Sequence, residues 1–167
     1  LFKHIFMRYA CDVMSMDRKA SLDEIDMHIL RELQRNCRVS LNDIAKQLGK
    51  TPSFVKYRLD RLVERGIIRG YIALLDEEKL GFTYNAVIMV RIKPGMLEEF
   101  REFIRKRGEV LIAYAVTGIY DVCIIAVFRD EKHYLKFIGD IHESGYVSET
   151  TTFVIVEKLK EDFKLPI

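Results

Sequence analysis

"SLNDIAKQLGKTPSFVKYRLDRLVERG", residues 40–66, contains two helix patterns that are separated only by Gly49 and Lys50. The first pattern begins at Ser40 and the second at Thr51, which a proline follows; serine and threonine are good N-caps, and proline suits a first helical turn. Gly49 can adopt the left-handed conformation that ends a helix. Because so short a turn cannot fold the helices back antiparallel, we predict that they cross steeply, as in a helix-turn-helix.

The second helix of this pair concentrates the positive charge of the chain. Residues 50–69 hold six basic and two acidic residues, whereas the whole chain has a net charge of only +2. The apolar stripe at helical spacing, predicted to face inward, consists of Val55, Leu59, Leu62 and Val63. The side chains left to point outward are Ser53, Lys56, Tyr57, Arg58, Arg61 and Arg65. An isolated basic helix is usually only solvated, but in this position of a helix-turn-helix we predict that it contacts a polyanion.

Local signals also predict what surrounds the pair. Ser21 and Glu24 form a Ser-x-x-Glu capping box, which predicts a first helix over residues 21–36. The stretch "IIRGYIALLD", residues 67–76, places β-forming residues on either side of a glycine. It predicts a β-hairpin wing with Arg69 near its tip, within reach of a phosphate.

The chain is predicted to have two domains after an N-terminal extension. The polar stretch that ends at Gly81 marks the boundary, so that residues 21–80 form the winged helix-turn-helix domain with its linker, and residues 81–167 form the second domain. Residues 1–20 are either an extension outside the core fold or a short accessory helix that packs its apolar side chains on a neighbour.

The second domain follows the order strand, helix, strand, strand, helix, strand. The predicted strands cover residues 84–92, 109–117, 120–128 and 151–159, and the predicted helices cover residues 95–107 and 130–142. This order is typical of a ferredoxin-like fold, an antiparallel four-stranded sheet with both helices on one face. The whole chain is therefore predicted to be an α+β protein.

The sheet face away from the helices is also apolar in the sequence. In the strand 120–128, alternate side chains would face the helices, while Cys123, Ile125 and Val127 would face the other way. A bare apolar sheet face favours aggregation, so we expect a second copy of the chain to cover it in a twofold dimer. Cys123 is accordingly interpreted as a small buried apolar residue.

Composition argues against several kinds of site. The three cysteines are odd in number, widely spaced and without a Cys-x-x-Cys pair, which argues against a disulfide framework or a zinc ribbon and favours a reducing, cytoplasmic location. The histidines have no ligand at metal-binding spacing, so neither a metal site nor a cofactor is expected. No apolar run reaches about 18 residues, and a transmembrane span is therefore not predicted.

One turn of the second domain, TGIYD, has suggestive chemistry. Gly118 permits close backbone approach, Tyr120 offers a hydroxyl group and Asp121 a carboxylate. Further along the chain, Thr150, Thr151 and Thr152 supply more hydroxyl groups. This mixture suits a small zwitterion, and the alternative is an ordinary hairpin turn followed by threonines of high β propensity.

Two stretches of the chain together resemble the Lrp/AsnC family, also called feast/famine regulatory proteins. They are "LDEIDMHILRELQRNCRVSLNDIAKQLGKTPSFVKYRLDRLVERGIIRGYIALLD", residues 22–76, and "VTGIYDVCIIAVF", residues 116–128. The resemblance extends over about residues 21–160. It implies a transcriptional regulator that binds double-stranded DNA, forms homodimers that assemble into an octamer, and binds a small amino-acid effector at the TGIYD turn between dimers.

Residue roles follow from the resemblance and from the predicted helix faces. The predicted DNA-binding residues are Thr51, Ser53, Lys56, Tyr57, Arg58, Arg61 and Arg69. The predicted effector-binding residues are Gly118, Tyr120, Asp121, Thr150 and Thr152. No catalytic residue is predicted.

Two other functions fit the same layout. One is a constitutive architectural DNA-binding protein without an effector. The other is a haem-pathway decarboxylase, since some of these enzymes resemble the same two-domain arrangement; it would need paired basic or histidine groups for a polycarboxylate tetrapyrrole. His133 and His142 lie on one predicted helix at a spacing that puts them on nearly opposite sides, which argues against the enzyme.

Overall fold

The computed structural model describes residues 21–167, and the predicted extension, residues 1–20, lies outside the described residues. The described chain divides into two compact units. One contains the residues up to Ala73 together with Asp162–Ile167, and the other is Leu74–Glu161. The domain limits given above stay predictions. Within the described chain, no helix is both long enough and apolar enough to cross a bilayer.

The helices of the first unit are α1, Glu24–Arg35; α2, Leu41–Leu48; and α3, Pro52–Glu64. The caps at Ser40 and Thr51 are confirmed, since their hydroxyl oxygens accept hydrogen bonds from the third backbone N–H that follows, at 3.1 and 3.2 Å. Gly49 ends α2 in the left-handed conformation with a φ of 61°. The short turn between α2 and α3 is therefore determined by residues that could be identified in the sequence.

The start of α1 differs from the prediction. The N-cap is Asp23, whose carboxylate accepts a hydrogen bond from the N–H of Asp26 at 2.9 Å. The predicted capping box of Ser21 and Glu24 is therefore wrong. Aspartate is as good an N-cap as serine, and Asp23 lies closer to the first apolar residues that α1 packs inward.

The core of the first unit is small and lies where the three helices meet. Its buried side chains are Ile29, Ile44, Ala45, Val55 and Leu62. Ala45 is 2% exposed, and its small side chain lets α2 and α3 approach closely. Val63 was predicted to be part of the buried stripe, but it is 46% exposed. Its position on the helix, about 80° away from Val55, places it at the edge of the stripe.

The segment after α3 forms no regular strand over residues 67–76, all of which the structure describes. The N–H groups of Ile67 and Ile68 both donate to the carbonyl of Leu62, at 3.0 and 3.2 Å. The predicted β-hairpin is therefore wrong, because its first arm is used to end α3. Beyond the glycine, the side chains of Ile72 and Leu74 are 80% and 72% exposed.

The second unit has the predicted strand and helix order, and the ferredoxin-like topology is confirmed. Its elements are β1, Tyr84–Ile92; α4, Leu97–Arg105; β2, Val110–Ala115; β3, Val122–Phe128; α5, Glu131–Glu143; and β4, Val147–Val154. The strands form one antiparallel sheet in the order β2-β3-β1-β4. β1 and β3 are central, and β4 is an edge strand beside β1.

The last strand begins and ends earlier than predicted. β4 covers Val147–Val154, whereas the sequence predicted residues 151–159. The polar residues Glu149 and Thr150, which precede the predicted strand, also pair with β1. An edge strand tolerates polar side chains because only part of its surface is buried, so its sequence gives a weak strand signal.

Both faces of the sheet carry apolar side chains, as predicted, and helices of this unit cover one of them. The face under α4 and α5 holds the buried core of this unit, including Ile88, Ile124 and Phe128, against Phe100 and Phe137. The opposite face, hereafter the open face, carries the register pairs Met89–Cys123 and Val87–Ile125, with Tyr114 beside Cys123 and Phe153 beside Val87. Tyr114 and Phe153 are 59% and 57% exposed. Among the described residues of this unit, no helix covers the open face.

Candidate DNA-binding helix and effector turn

The outward surface of α3 presents a group of polar and cationic side chains. Ser53, Lys56, Tyr57 and Arg61 are all exposed. The guanidinium carbon of Arg61 lies 5.8 Å from the centre of the Tyr57 ring, a distance typical of a cation–π contact. Lys56 forms an ion pair with Asp60 at 2.7 Å, so its charge is partly offset within the helix. Arg61 and Tyr57 are therefore the most prominent features of this surface.

Arg58 does not point outward, and this part of the sequence prediction is corrected. Its guanidinium forms ion pairs with Asp23 at 2.7 Å and with Asp26 at 3.1 Å. The Asp26 side chain is only 6% exposed, and that of Arg58 is 22% exposed. The partners lie on and just before α1, so Arg58 joins α3 to the first helix. Its role in the geometry is to position α3.

The charge of Asp23 depends on this arrangement. The backbone N–H of Asp26, and next to it the Arg58 guanidinium, hold the pKa of the Asp23 carboxyl below its usual value. A carboxyl whose pKa is lower in the folded state contributes stability above its unfolded pKa and loses it as pH falls through the folded pKa. The ion pair of Asp23 and Arg58 is therefore expected to stabilise the first unit at neutral pH and to fail in strong acid.

Replacing Arg58 with methionine is expected to destabilise the first unit by about 2 kcal/mol at neutral pH, because buried Asp26 loses its cationic partner. Thermal unfolding of the variant and of the wild type would measure the difference, which should shrink in strongly acidic solution. The control is Arg65→Met, at the exposed end of α3. Equal stability of Arg58→Met and Arg65→Met at neutral pH would contradict the structural role.

The remaining predicted DNA contacts lie at the two ends of α3. The hydroxyl of Thr51 is the N-cap acceptor, bonded to the N–H of Phe54, and Arg69 is exposed beyond the helix. Lys50, which the sequence prediction did not include, lies before the helix with its ammonium 5.9 Å from the centre of the Phe54 ring. The position of Lys50 in the turn just before α3 was the sequence signal that could have identified this residue.

The TGIYD turn is held by backbone and carboxylate hydrogen bonds. Gly118 has a φ of 128°, which side chains rarely allow. The N–H of Asp121 donates to the carbonyl of Val90, and its carbonyl accepts from Val116, both at 2.9 Å. The Asp121 carboxylate accepts from the N–H of Ile92 at 2.8 Å. Asp121 therefore anchors the turn to β1, and one of its carboxylate oxygens is already used.

The three consecutive threonines of β4 point to different faces of the sheet. Thr150 and Thr152 lie opposite Val90 and Ile88, on the side of the helices, and the Thr150 hydroxyl is 2.9 Å from His142 Nε2. Thr151 lies on the open face, with its hydroxyl 2.7 Å from that of Tyr120. The structure thus brings Tyr120 together with Thr151, the one threonine of the three that was not among the predicted effector-binding residues.

Arg91 was also missed, although it contacts the turn. Its Nε donates to the carbonyl of Ile119 at 3.2 Å, and its guanidinium carbon lies 5.8 Å from the centre of the Tyr120 ring. Glu149, opposite Arg91 on β4, forms an ion pair with it at 3.1 Å. Arg91 is the one charged residue of β1, and this was the signal available in the sequence.

One cavity of the second unit lies away from this turn. A cavity of about 620 Å³, open to solvent, runs along α4 and is lined by residues that include Glu102, Phe103, Arg107 and Tyr146. None of the predicted effector-binding residues lines it. The chemistry of the TGIYD turn, rather than the size of this cavity, identifies the candidate effector site.

The two histidines considered for an enzyme make separate contacts. His133 Nε2 lies 3.2 Å from Glu109 Oε1, whereas His142 contacts Thr150. The geometry therefore gives the tetrapyrrole hypothesis no paired histidine site.

Comparison with known proteins decides the family. Residues 22–69 match a winged helix-turn-helix DNA-binding family, and residues 85–165 match the Lrp/AsnC ligand binding domain. The chain is 34% identical over 152 residues to the leucine-responsive regulatory protein of Haemophilus influenzae, an alignment that covers 89% of this chain and 92% of that protein. The chain belongs to the Lrp/AsnC family. This Lrp/AsnC protein is also 34% identical over 147 residues to the HTH-type transcriptional regulator Ptr1 of Methanocaldococcus jannaschii, covering 87% and 99% of the two chains.

Solved structures of Lrp/AsnC proteins have the same fold. Transcriptional regulator NMB0573 of Neisseria meningitidis, in its complex with L-methionine, superposes with a TM-score of 0.82 at 31% identity, covering 87% of this chain and 97% of the other. Escherichia coli AsnC superposes with a TM-score of 0.78 at 24% identity, covering 84% and 95%. This Lrp/AsnC protein is a transcriptional regulator with a DNA-binding helix-turn-helix and an Lrp/AsnC ligand-binding domain. Its matched families and relatives are regulators rather than enzymes.

Proposed function

We propose that the protein is a sequence-specific DNA-binding regulator that works as a homodimer, with α3 as the recognition helix in the major groove. The observation that carries this proposal is the division of α3 into an inner side fixed by Val55, Leu62 and the Arg58 ion pairs, and an outer side that presents Tyr57 and Arg61. We also propose a cytoplasmic location for this regulator.

In this proposal the outward side chains of α3 have different tasks. Ser53, Lys56, Tyr57 and Arg61 lie nearest to base edges, while Thr51 and Arg69 contact phosphates at either end of the helix. Phosphate contacts position a protein on DNA, and base contacts select the sequence. Arg58 is removed from the set of direct contacts because both acidic partners hold it against α1.

The dimer forms through the open face of the sheet. Val87, Met89, Cys123 and Ile125 lie at its centre, with exposed Tyr114 toward one margin. A second copy related by a twofold axis buries this apolar surface and makes one permanent interface. Two recognition helices then reach successive major grooves about 34–36 Å apart on a pseudo-palindromic site.

A small amino acid is the proposed effector, bound at the TGIYD turn where dimers meet in an octamer. What supports this is the family's ligand-binding domain over residues 85–165 and the L-methionine complex of a relative. The effector would change the assembly of dimers, and with it the spacing of the DNA-binding helices.

The constitutive architectural alternative is favoured by one specific observation. Asp121, which was expected to bind the effector, already accepts a hydrogen bond from the backbone of Ile92. If the turn is only structural, the protein binds DNA without responding to amino acids.

The deciding experiment is selection of bound sequences from random duplex DNA, with and without a mixture of amino acids. A recovered pseudo-palindrome supports the regulator, and a change of its spacing or affinity with the mixture supports the effector. Recovery of unrelated sequences would overturn sequence-specific binding, and an identical result in both arms would favour the architectural alternative.

A salt titration makes a separate prediction for the same DNA. If a dimer neutralises about six phosphates, the slope of log affinity against log salt concentration should be near −5, since each phosphate contributes about −0.9. Fluorescence anisotropy with a labelled duplex measures it. A slope near zero would contradict recognition by the basic face of α3.

A further inference from the structure

The pairing of β1 with β4 is irregular at one place, beside the TGIYD turn. The register shifts between Arg91 and Ile92. At the irregularity, the N–H of Ile92 donates to the Asp121 carboxylate at 2.8 Å, and the Ser148 hydroxyl donates to the carbonyl of Arg91 at 3.1 Å. A β-bulge changes the direction of neighbouring side chains and is often found next to a functional site. The residue that the shift leaves unpaired is Ser148 on β4, and Asp121 holds the backbone of Ile92, the residue that follows Arg91 on β1.

Arg91 points along the open face toward the turn. Within the described chain its guanidinium uses Nε for the Ile119 carbonyl and Nη1 for Glu149, which leaves the other N–H groups of the fork for a further acceptor. The fork of an arginine matches the geometry of a carboxylate. The hydroxyl groups of Tyr120 and Thr151 lie at the same side of the turn.

The ion pair between Arg91 and Glu149 is well suited to be opened by a ligand. The two side chains are 46% and 47% exposed, and an exposed ion pair of this kind contributes little to stability. An α-amino acid carries its ammonium and carboxylate on one carbon atom, so its two charges are as close together as those of the ion pair. Each charge of the ligand can therefore replace one partner of the pair.

We propose that Arg91 and Glu149 are the two charged contacts of the effector site. Arg91 binds the carboxylate of a free amino acid, and Glu149 binds its α-ammonium group, so that the effector opens the ion pair across β1 and β4. Asp121 is a positioning residue that acts through the backbone of Ile92, the residue that follows Arg91. This inference rests on the proposed amino-acid effector at the TGIYD turn and identifies the residues that recognise it.

Isothermal titration calorimetry of the full chain tests the two contacts separately. Each protein amino acid is first titrated into the wild type, and the one that binds most tightly is compared with its own carboxamide and its own des-amino acid. These probes lack the carboxylate charge and the ammonium group, respectively. The variants are Arg91→Met and Glu149→Gln, and the controls are Arg101→Met and Glu98→Gln, which alter an exposed ion pair on α4 of the same unit.

We expect each site variant to bind the selected amino acid about 10- to 100-fold more weakly, which is the effect of losing one hydrogen bond to a charged group. Arg91→Met should no longer distinguish the amino acid from its carboxamide, and Glu149→Gln should no longer distinguish it from the des-amino acid. Substitution of a residue that has only a structural role would weaken the binding of all three probes to the same extent. The two control variants should bind as the wild type does.

Unchanged binding by both site variants, or equal weakening of all three probes, would overturn the assignment of Arg91 and Glu149 while leaving the amino-acid effector in place. If no amino acid binds the wild type, the effector itself is overturned together with its site. The DNA selection distinguishes these results from failure of the regulator proposal, because sequence-specific DNA binding does not depend on either residue.

Discussion

Ile125→Asp is expected to convert the protein into a monomer and to weaken its binding to duplex DNA by at least about 100-fold, which is the range gained when two linked sites bind together. Ile125 lies on the central strand β3, opposite Val87, in the middle of the open face. A carboxylate there would be buried without a partner by a second copy of the sheet, and such burial is strongly unfavourable. Sedimentation velocity measures the mass of the assembly, and fluorescence anisotropy measures the DNA affinity.

The control for this variant is Leu135→Asp. Leu135 is a large apolar residue of the same unit, lies on α5 on the opposite side of the sheet, and is 58% exposed. The Leu135→Asp substitution should leave both the mass of the assembly and its affinity for DNA unchanged. An Ile125→Asp protein that stays dimeric would show that the open face is not the interface, and the spacing of the recognition helices would then need another explanation.

Arg61→Ala is expected to weaken specific DNA binding by about 30-fold or more, since each arginine contact contributes about 1–3 kcal/mol and a dimer loses two of them. Arg61 is the exposed cation that stacks near Tyr57 on the outer side of α3. If Arg61 also neutralises a phosphate, the slope of log affinity against log salt concentration becomes less steep by about 1 to 2, whereas a pure base contact leaves the slope unchanged. Anisotropy titrations over a range of salt concentrations give both quantities.

Arg105→Ala is the matched control, because it removes the same charge from an exposed ion pair on α4 in the other unit. If Arg61→Ala and Arg105→Ala bind DNA equally well, the face assigned to α3 is wrong. A uniform loss on all duplexes would make Arg61 a phosphate contact, whereas a loss only on the selected sequence would make it a base contact.

Helix ends and the order of elements were largely predictable from the sequence because their signals are local. The caps at Ser40 and Thr51 satisfy N–H groups only a few residues away, and Gly49 ends α2 through its own backbone conformation. The order of strands and helices in the second unit follows from apolar periodicity within each element. Predictions failed where two local signals competed, as at Asp23, or where a polar edge strand, β4, has no strong pattern.

The functional sites were predicted less accurately than the helix ends and the order of elements, because the partner of a side chain depends on tertiary packing. The sequence does not distinguish an exposed arginine of a basic helix from one that forms an ion pair with a buried carboxylate. Arg58 forms such a pair, with the buried Asp26. The threonines of β4 were chosen by composition, whereas the strand register places Thr151, not Thr150 or Thr152, beside Tyr120.

The sequence by itself determined that this chain has a tight helix pair with a basic second helix, followed by an α+β unit whose sheet is apolar on both faces. Only the tertiary structure decided which basic side chains are available to contact DNA or a ligand. Arg58 meets aspartates 32 and 35 positions away, and Arg91 meets a carbonyl 28 positions away. The physical reason is the distance along the sequence between the residues that interact. Helix caps and apolar periodicity involve residues only a few positions apart. Ion pairs between distant residues form only after the core has brought their elements together.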